Sequence, residues 1–136
     1  MRAFIGLSLL CLLVYPACQQ ETAYNFIQQG SASYYADLLA GKKTASGELY
    51  HPDSLTAAHL YLPLGTEVLV TNLKNKRQLR VRINDRGPYH KQRILDLSRK
   101  AADSLSFLRE GITQVEIRAI LPQATADSLN AYFFGS

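Results

Sequence analysis

Leu79-Arg80-Val81-Arg82-Ile83-Asn84-Asp85-Arg86-Gly87-Pro88 holds a strand and its abrupt end within ten residues. Leu79, Val81 and Ile83 alternate with Arg80 and Arg82, the period of a half-buried strand. Arg86-Gly87-Pro88 predicts a tight turn, because proline cannot donate to a sheet ladder and glycine tolerates turn conformations. Side chains on a strand alternate faces, so Asp85 is expected to continue the row of Leu79, Val81 and Ile83 into the fold. A carboxyl group at the rim of an apolar interior is a candidate general acid. Taken alone, the same aspartate is more often a turn residue that accepts backbone amides.

Outward from this stretch the chain reads as short strands. Residues 67–72 are rich in β-branched side chains and lead through a polar hairpin connection, 74–78, into the first strand. Leu62-Pro63-Leu64-Gly65-Thr66 is a turn, and 55–59 is too short to assign to helix or strand. Residues 94–97 form another strand, after which Ser98 caps a helix to about Leu105, with Asp96 also expected to hold its start. Residues 113–121 alternate as the last strand. Leu129, Tyr132 and Phe133 place a short docking helix over 125–134. Residues 30–35 suggest a strand with a close-packed face. The polar loop that follows, 40–50, is long enough in so small a domain to suggest function. The result is a mainly β fold with one or two short helices, a small closed barrel rather than a doubly wound sheet.

The chain of 136 residues has room for one domain and a leader. Met1-Arg2 followed by an apolar run to Val14 suits a secretory signal and is too short to span a bilayer comfortably. It ends in Tyr15-Pro16-Ala17-Cys18, as a bacterial lipoprotein processing site does, although Tyr15 stands where an aliphatic residue is usual. The expected division is a signal peptide (1–17), a tether from a lipidated Cys18 (18–27), a barrel domain (28–121) and a helical tail (122–136). An ordinary export signal with Cys18 incidental is the alternative. Gln19 after the cysteine favours an outer-membrane anchor facing the periplasm. Cys11 leaves with the leader, so no intramolecular disulfide is expected. His51, His59 and His90 lack the close helical spacing of a zinc motif, and neither metal nor cofactor is expected. Fifteen basic and eleven acidic residues give a net charge of +4, scattered without interleaved aromatics, which argues against nucleic acid.

Three segments carry polar residues that packing does not call for: Thr44-Ala45-Ser46-Gly47-Glu48, Thr56-Ala57-Ala58-His59 and Asn84-Asp85-Arg86-Gly87-Pro88. Ala32-Ser33-Tyr34-Tyr35, Leu62-Pro63-Leu64-Gly65-Thr66 and Arg93-Ile94-Leu95-Asp96-Leu97-Ser98 fall in order around them. With these motifs the chain, from Gly30 to about Ile120, closely resembles the rare lipoprotein A family, septal lytic transglycosylases of peptidoglycan. The resemblance implies a six-stranded double-psi β-barrel that cuts β-1,4 bonds between N-acetylmuramic acid and N-acetylglucosamine, preferring peptide-free strands. It puts Asp85 at the position of the proposed catalytic acid, with Glu48 and His59 flanking it in the groove. Tyr35, Arg86, Thr44 and Ser46 are the expected sugar contacts. Ala36 replaces the family's usual glycine, Asn75-Lys76-Arg77 replaces its Asn-Gly turn, and the peptidoglycan-binding repeat domain that many relatives append is not expected in this chain.

The chemistry fits a single acid. A glycosidic bond breaks when the departing oxygen is protonated and the oxocarbenium-like centre is stabilised. In a lytic transglycosylase the sugar's own C6 hydroxyl attacks, so one carboxyl group serves as acid and then base. Singly, His59 reads as a structural histidine, Glu48 as an exposed turn residue, and Tyr34 and Tyr35 as packing. Two rival readings stand beside the enzyme: an expansin-like module that only binds glycan, and a hydrolase in which Glu48 activates water opposite Asp85. The expected partners are glycan strands and, through the anchor, a membrane; the protein is expected to be a monomer.

Overall fold

The computed structural model describes residues 23–135. The expected signal peptide, Cys18 and the first half of the expected tether, 18–22, lie outside the described residues. Strands β1 (Phe26–Tyr34), β2 (Thr56–Ala58), β3 (Glu67–Asn72), β4 (Gln78–Asp85), β5 (Arg93–Leu97) and β6 (Thr113–Ala119) close a barrel in the order β1-β5-β2-β4-β3-β6. β1 runs parallel to β5, and β2 parallel to β4; the remaining neighbours are antiparallel. This is the crossed connectivity of a double-psi barrel, and the fold class is as the sequence led us to expect.

Period-2 patterning fills the interior. Val68 and Val70 from β3, Val81 and Ile83 from β4, Leu95 and Leu97 from β5, and Val115, Ile117 and Ala119 from β6 are all buried together. Gly30 is required where β1 meets β5: a Cβ there would lie 2.6 Å from Ile94 Cγ2. Helix α1 (Arg99–Ser104) plugs the barrel with Ala101 and Ala102, joined by Leu105 and Phe107. The Ser98 hydroxyl accepts from the Ala101 amide at 3.3 Å, the expected N-cap. Asp96 does not share that task. It accepts from the Ser33 hydroxyl at 2.5 Å, and Arg93 bridges to the same serine at 2.8 Å.

Several boundaries differ from expectation. The tether was expected to run to residue 27, yet Phe26 is fully buried and β1 begins there, paired to Ala119. Asn25 clamps the far end as well, donating to Leu121 O at 2.7 Å and accepting from Leu121 N at 2.8 Å. The last strand stops at Ala119 and helix α2 (Gln123–Phe134) starts straight after Pro122. In α2, Ala126 is buried and Phe133 packs on Phe26 with ring centroids 6.1 Å apart. Tyr132 does not dock: it is 65% exposed and sits against Tyr61. The 40–50 loop is a folded hairpin. Lys43 bridges Leu49, and Gly41 and Tyr50 close its base at 2.9 Å.

Candidate active site

The site is made where β4 ends. Along the β2–β4 pair, Ala57 faces Ile83 but Ala58 faces Asp85, so β4 carries one extra residue. Such a bulge re-aims the strand. Asn84 is buried, and Asp85 finishes half-buried at the barrel's lip instead of extending the inward row of Val81 and Ile83. Gly87 then turns the chain at φ 127, a conformation that residues with a Cβ rarely adopt.

Donors from three segments converge on the Asp85 carboxylate. Its Oδ1 accepts from the amides of Ala45 and Arg86, each at 2.9 Å, and its Oδ2 accepts from the Tyr35 hydroxyl at 2.6 Å. Thus Asp85 fixes a turn and also faces a site. Burial, then the hydrogen bond to Asp85, pushes the Tyr35 phenol far above its ordinary range, so it remains a donor. Beside this constellation is a notch of about 150 Å³ lined by Tyr35, Leu39, Lys42, Lys43, Thr44, Tyr50 and Asp85.

The hairpin that forms one wall is pinned to β4. Ser46 N donates to Asn84 O at 3.0 Å, and Arg82 holds Glu48 through two bonds of 2.5 and 2.8 Å. Thr44 Oγ1 lies 2.9 Å from Ser46 Oγ and donates to Glu48 O at 2.8 Å. Thr44 lines the notch while bracing its own loop; Ser46 acts as a brace, accepting from Glu48 N at 3.2 Å. Glu48 is exposed at the outer rim, where the hydrogen bond from Arg82 holds its carboxyl below the usual range.

His59 was expected to flank Asp85 in one groove, and its ring does not. It is 2% exposed and opens on a separate cavity of about 90 Å³, shared with Gln28, Arg93 and Phe133. Nδ1 accepts the amides of Tyr61 and Leu62, both at 3.0 Å, so Nε2 carries the proton and donates to Gln28 Oε1 at 2.9 Å. Burial, with a smaller contribution from the Arg86 charge, lowers the imidazole to about 4. It meets Asp85 only through the backbone, His59 N to Asp85 O at 3.2 Å. Arg86, expected to contact sugar, spends its Nη1 on the carbonyls of His59 and Leu62 at 3.1 and 2.7 Å.

The structure therefore brings together Asp85, Tyr35 and Thr44, and sets Ser46, Glu48, His59 and Arg86 around them as supports; Ser46 and Arg86, expected to contact sugar, brace the loops instead. Sequence reasoning missed Lys42, Lys43, Leu39 and Tyr50 as lining residues. Their signal was available, because they sit in or next to the long polar loop. Asp96 was missed too: its Oδ2 would lie 3.9 Å from a Cβ on Gly87, which sets a second carboxylate near the turn.

Comparison with known proteins bears on this arrangement. The profile of a family described as lytic transglycolase matches residues 27–117. The chain is similar to the endolytic peptidoglycan transglycosylase RlpA of Neisseria meningitidis serogroup A, 46% identical over 102 residues, 75% of this chain and 43% of that protein. The Haemophilus influenzae protein of the same name is 48% identical over 98 residues, 72% of this chain and 34% of its own. The chain thus spans less than half the length of these relatives. Among solved structures, the Streptomyces papain inhibitor superposes with a TM-score of 0.59 at 22% identity, covering 72% of this chain and 97% of the inhibitor. A Clavibacter michiganensis expansin gives 0.57 at 21% identity, covering 71% and 51%. At these identities the two structures speak for the barrel alone.

Proposed function

The chain belongs to the lytic transglycolase family, and from that premise we propose that it cleaves the β-1,4 bonds of peptidoglycan glycan strands with a 1,6-anhydro product. The observation that carries this is a single carboxyl group at the barrel's lip, fixed by a tyrosine and two amides beside an open notch. Oδ1 takes two backbone donors and Oδ2 only the Tyr35 hydroxyl, so Oδ2 keeps the lone pair through which a proton is exchanged. Protonated Asp85 gives that proton to the departing glycosidic oxygen, and the muramic C1 develops positive charge. The C6 hydroxyl of the same sugar then closes on C1, and the Asp85 carboxylate takes up its proton. The nucleophile is already tethered to the reacting ring, so no second carboxylate is needed to activate water.

In this reading Tyr35 orients the acid and its half-buried ring contacts sugar beside Thr44, with buried Tyr50 backing that ring. Glu48 acts through Arg82 by holding the hairpin. His59 acts through the 59–62 turn, whose carbonyls hold Arg86. Export, with a lipid on Cys18 tethering the barrel to the outer membrane, is part of the same proposal and rests on the leader sequence. Metabolic labelling with a radioactive fatty acid, lost on Cys18→Ser, tests it.

The reaction is tested by mass spectrometry of peptide-free glycan after digestion. Anhydro ends are expected; reducing ends would indicate the hydrolase, and no new ends a binding module. Asp85→Asn should lower anhydro release by about 10²- to 10⁴-fold, the usual worth of a general acid.

A further inference from the structure

We infer that Lys42 and Lys43 recognise the free lactyl carboxylate of N-acetylmuramic acid, so that selection of peptide-free strands is a selection for charge. The inference rests on the proposed substrate. Both lysines border the notch that Asp85 borders, and both are exposed. Among the described residues, neither enters an ion pair. The acids around them are engaged elsewhere: Asp37 with Arg99 at 2.8 Å, Glu48 with Arg82 at 2.5 Å, and Asp85 with Tyr35 and two amides. Two cations thus stand at the notch outside any ion pair, and the one carboxylate that shares the notch with them is Asp85.

Their backbone is held in place. Lys42 O accepts from Tyr50 N at 2.8 Å, and Lys43 pairs with Leu49 across the hairpin. Lys43 Cε would lie 3.9 Å from a Cβ on Gly47, so its stem runs across the loop tip. Tyrosine rings and Leu39 form the other walls. A ligand that suits this surface is ring-shaped and anionic. N-acetylmuramic acid carries a lactyl ether on C3 of the very sugar whose C1 is cut. With a stem peptide attached, that carboxyl group is a neutral amide. With the stem removed, it is a negative charge within a few bonds of the reacting centre. An ammonium group forms an ion pair with the second and only a weaker hydrogen bond, to a neutral carbonyl, with the first.

Binding of Asp85→Asn protein to peptide-free strands, before and after methyl esterification of their carboxyl groups, tests this without turnover. The free acid should bind about threefold to tenfold more tightly, the worth of two exposed ion pairs, and the gap should narrow with added salt. Lys42→Gln/Lys43→Gln should abolish the preference. Lys42→Arg/Lys43→Arg should keep it, as should Lys74→Gln/Lys100→Gln, which removes equal charge elsewhere. The ratio of KM values for the two strands in the wild-type protein gives a second readout. Equal affinity for both strands, or a preference that survives in the double glutamine variant, overturns the inference. Absence of anhydro ends would instead sink the transglycosylase reading, and the binding comparison would still decide the role of the lysines.

Discussion

Asp85 receives donors from residues 35, 45 and 86, and that convergence explains what could and could not be seen beforehand. The aspartate was legible because a strand period stops against Arg86-Gly87-Pro88, a local signal. Its exact aim was not, since the bulge at Asn84 exists only in pairing with β2. Tyr35 is fifty positions away in sequence, and nothing local announces that its hydroxyl meets Oδ2. Tyr35→Phe isolates that contact, because the ring would keep its place against Tyr50, centroids 4.6 Å apart. We expect kcat to fall about tenfold or more, as loss of a hydrogen bond to a charged group implies, with KM little changed. A matching rise in KM would show instead that the hydroxyl binds sugar.

At the scale of elements, the hairpin at 40–50 and strand β4 work as one piece, and Glu48 is the rivet. Its motif position was legible; its partner was not, because Arg82 looked like an ordinary outward residue of an alternating strand. Glu48→Arg and Arg82→Glu should each cut anhydro release several-fold, and the two together should restore much of it by re-forming the pair. A direct chemical role for Glu48 would leave the charge-swapped protein inactive, so the same assay separates support from catalysis. The start of β1 was hidden for a related reason. Phe26 and Gln28 point inward while Ile27 is 39% exposed, so the apolar alternation reads in reverse. Gln28 is tolerated inside because its Oε1 accepts from His59 at 2.9 Å. A chain beginning at residue 28 therefore lacks both Phe26 and the Asn25 clamp. Relative to one beginning at 23, it should lose about 3–5 kcal/mol, the cost of deleting a buried phenylalanine, seen as a lower denaturant midpoint.

For the whole molecule, the short period-2 segments made a closed β fold readable, while the strand order did not follow from them, since parallel pairing of β1 with β5 joins segments about sixty residues apart. The same long-range closure places a neutral histidine inside the barrel's end. Burial lowers His59 to about 4 from an ordinary 6.5, and this couples global stability to acid. Above about pH 6.5 the ring is neutral in both folded and unfolded chains, and its contribution is complete. As pH falls below that value the unfolded chain takes up the proton and the folded one does not, so stability drains away until the folded imidazole itself titrates near 4. The loss should reach about 3 kcal/mol at the acid end, given the size of the shift. Protonation would also remove the Nδ1 acceptor from the Tyr61 and Leu62 amides, freeing the turn whose carbonyls hold Arg86. Denaturant midpoints at pH 7 and pH 4.5 measure the effect. His59→Gln should be less stable than wild type at pH 7 but should show a much flatter dependence between those values. A wild-type midpoint that stays level across the same interval would mean that the imidazole is not held neutral, and that the turn beside Asp85 is supported by something other than His59.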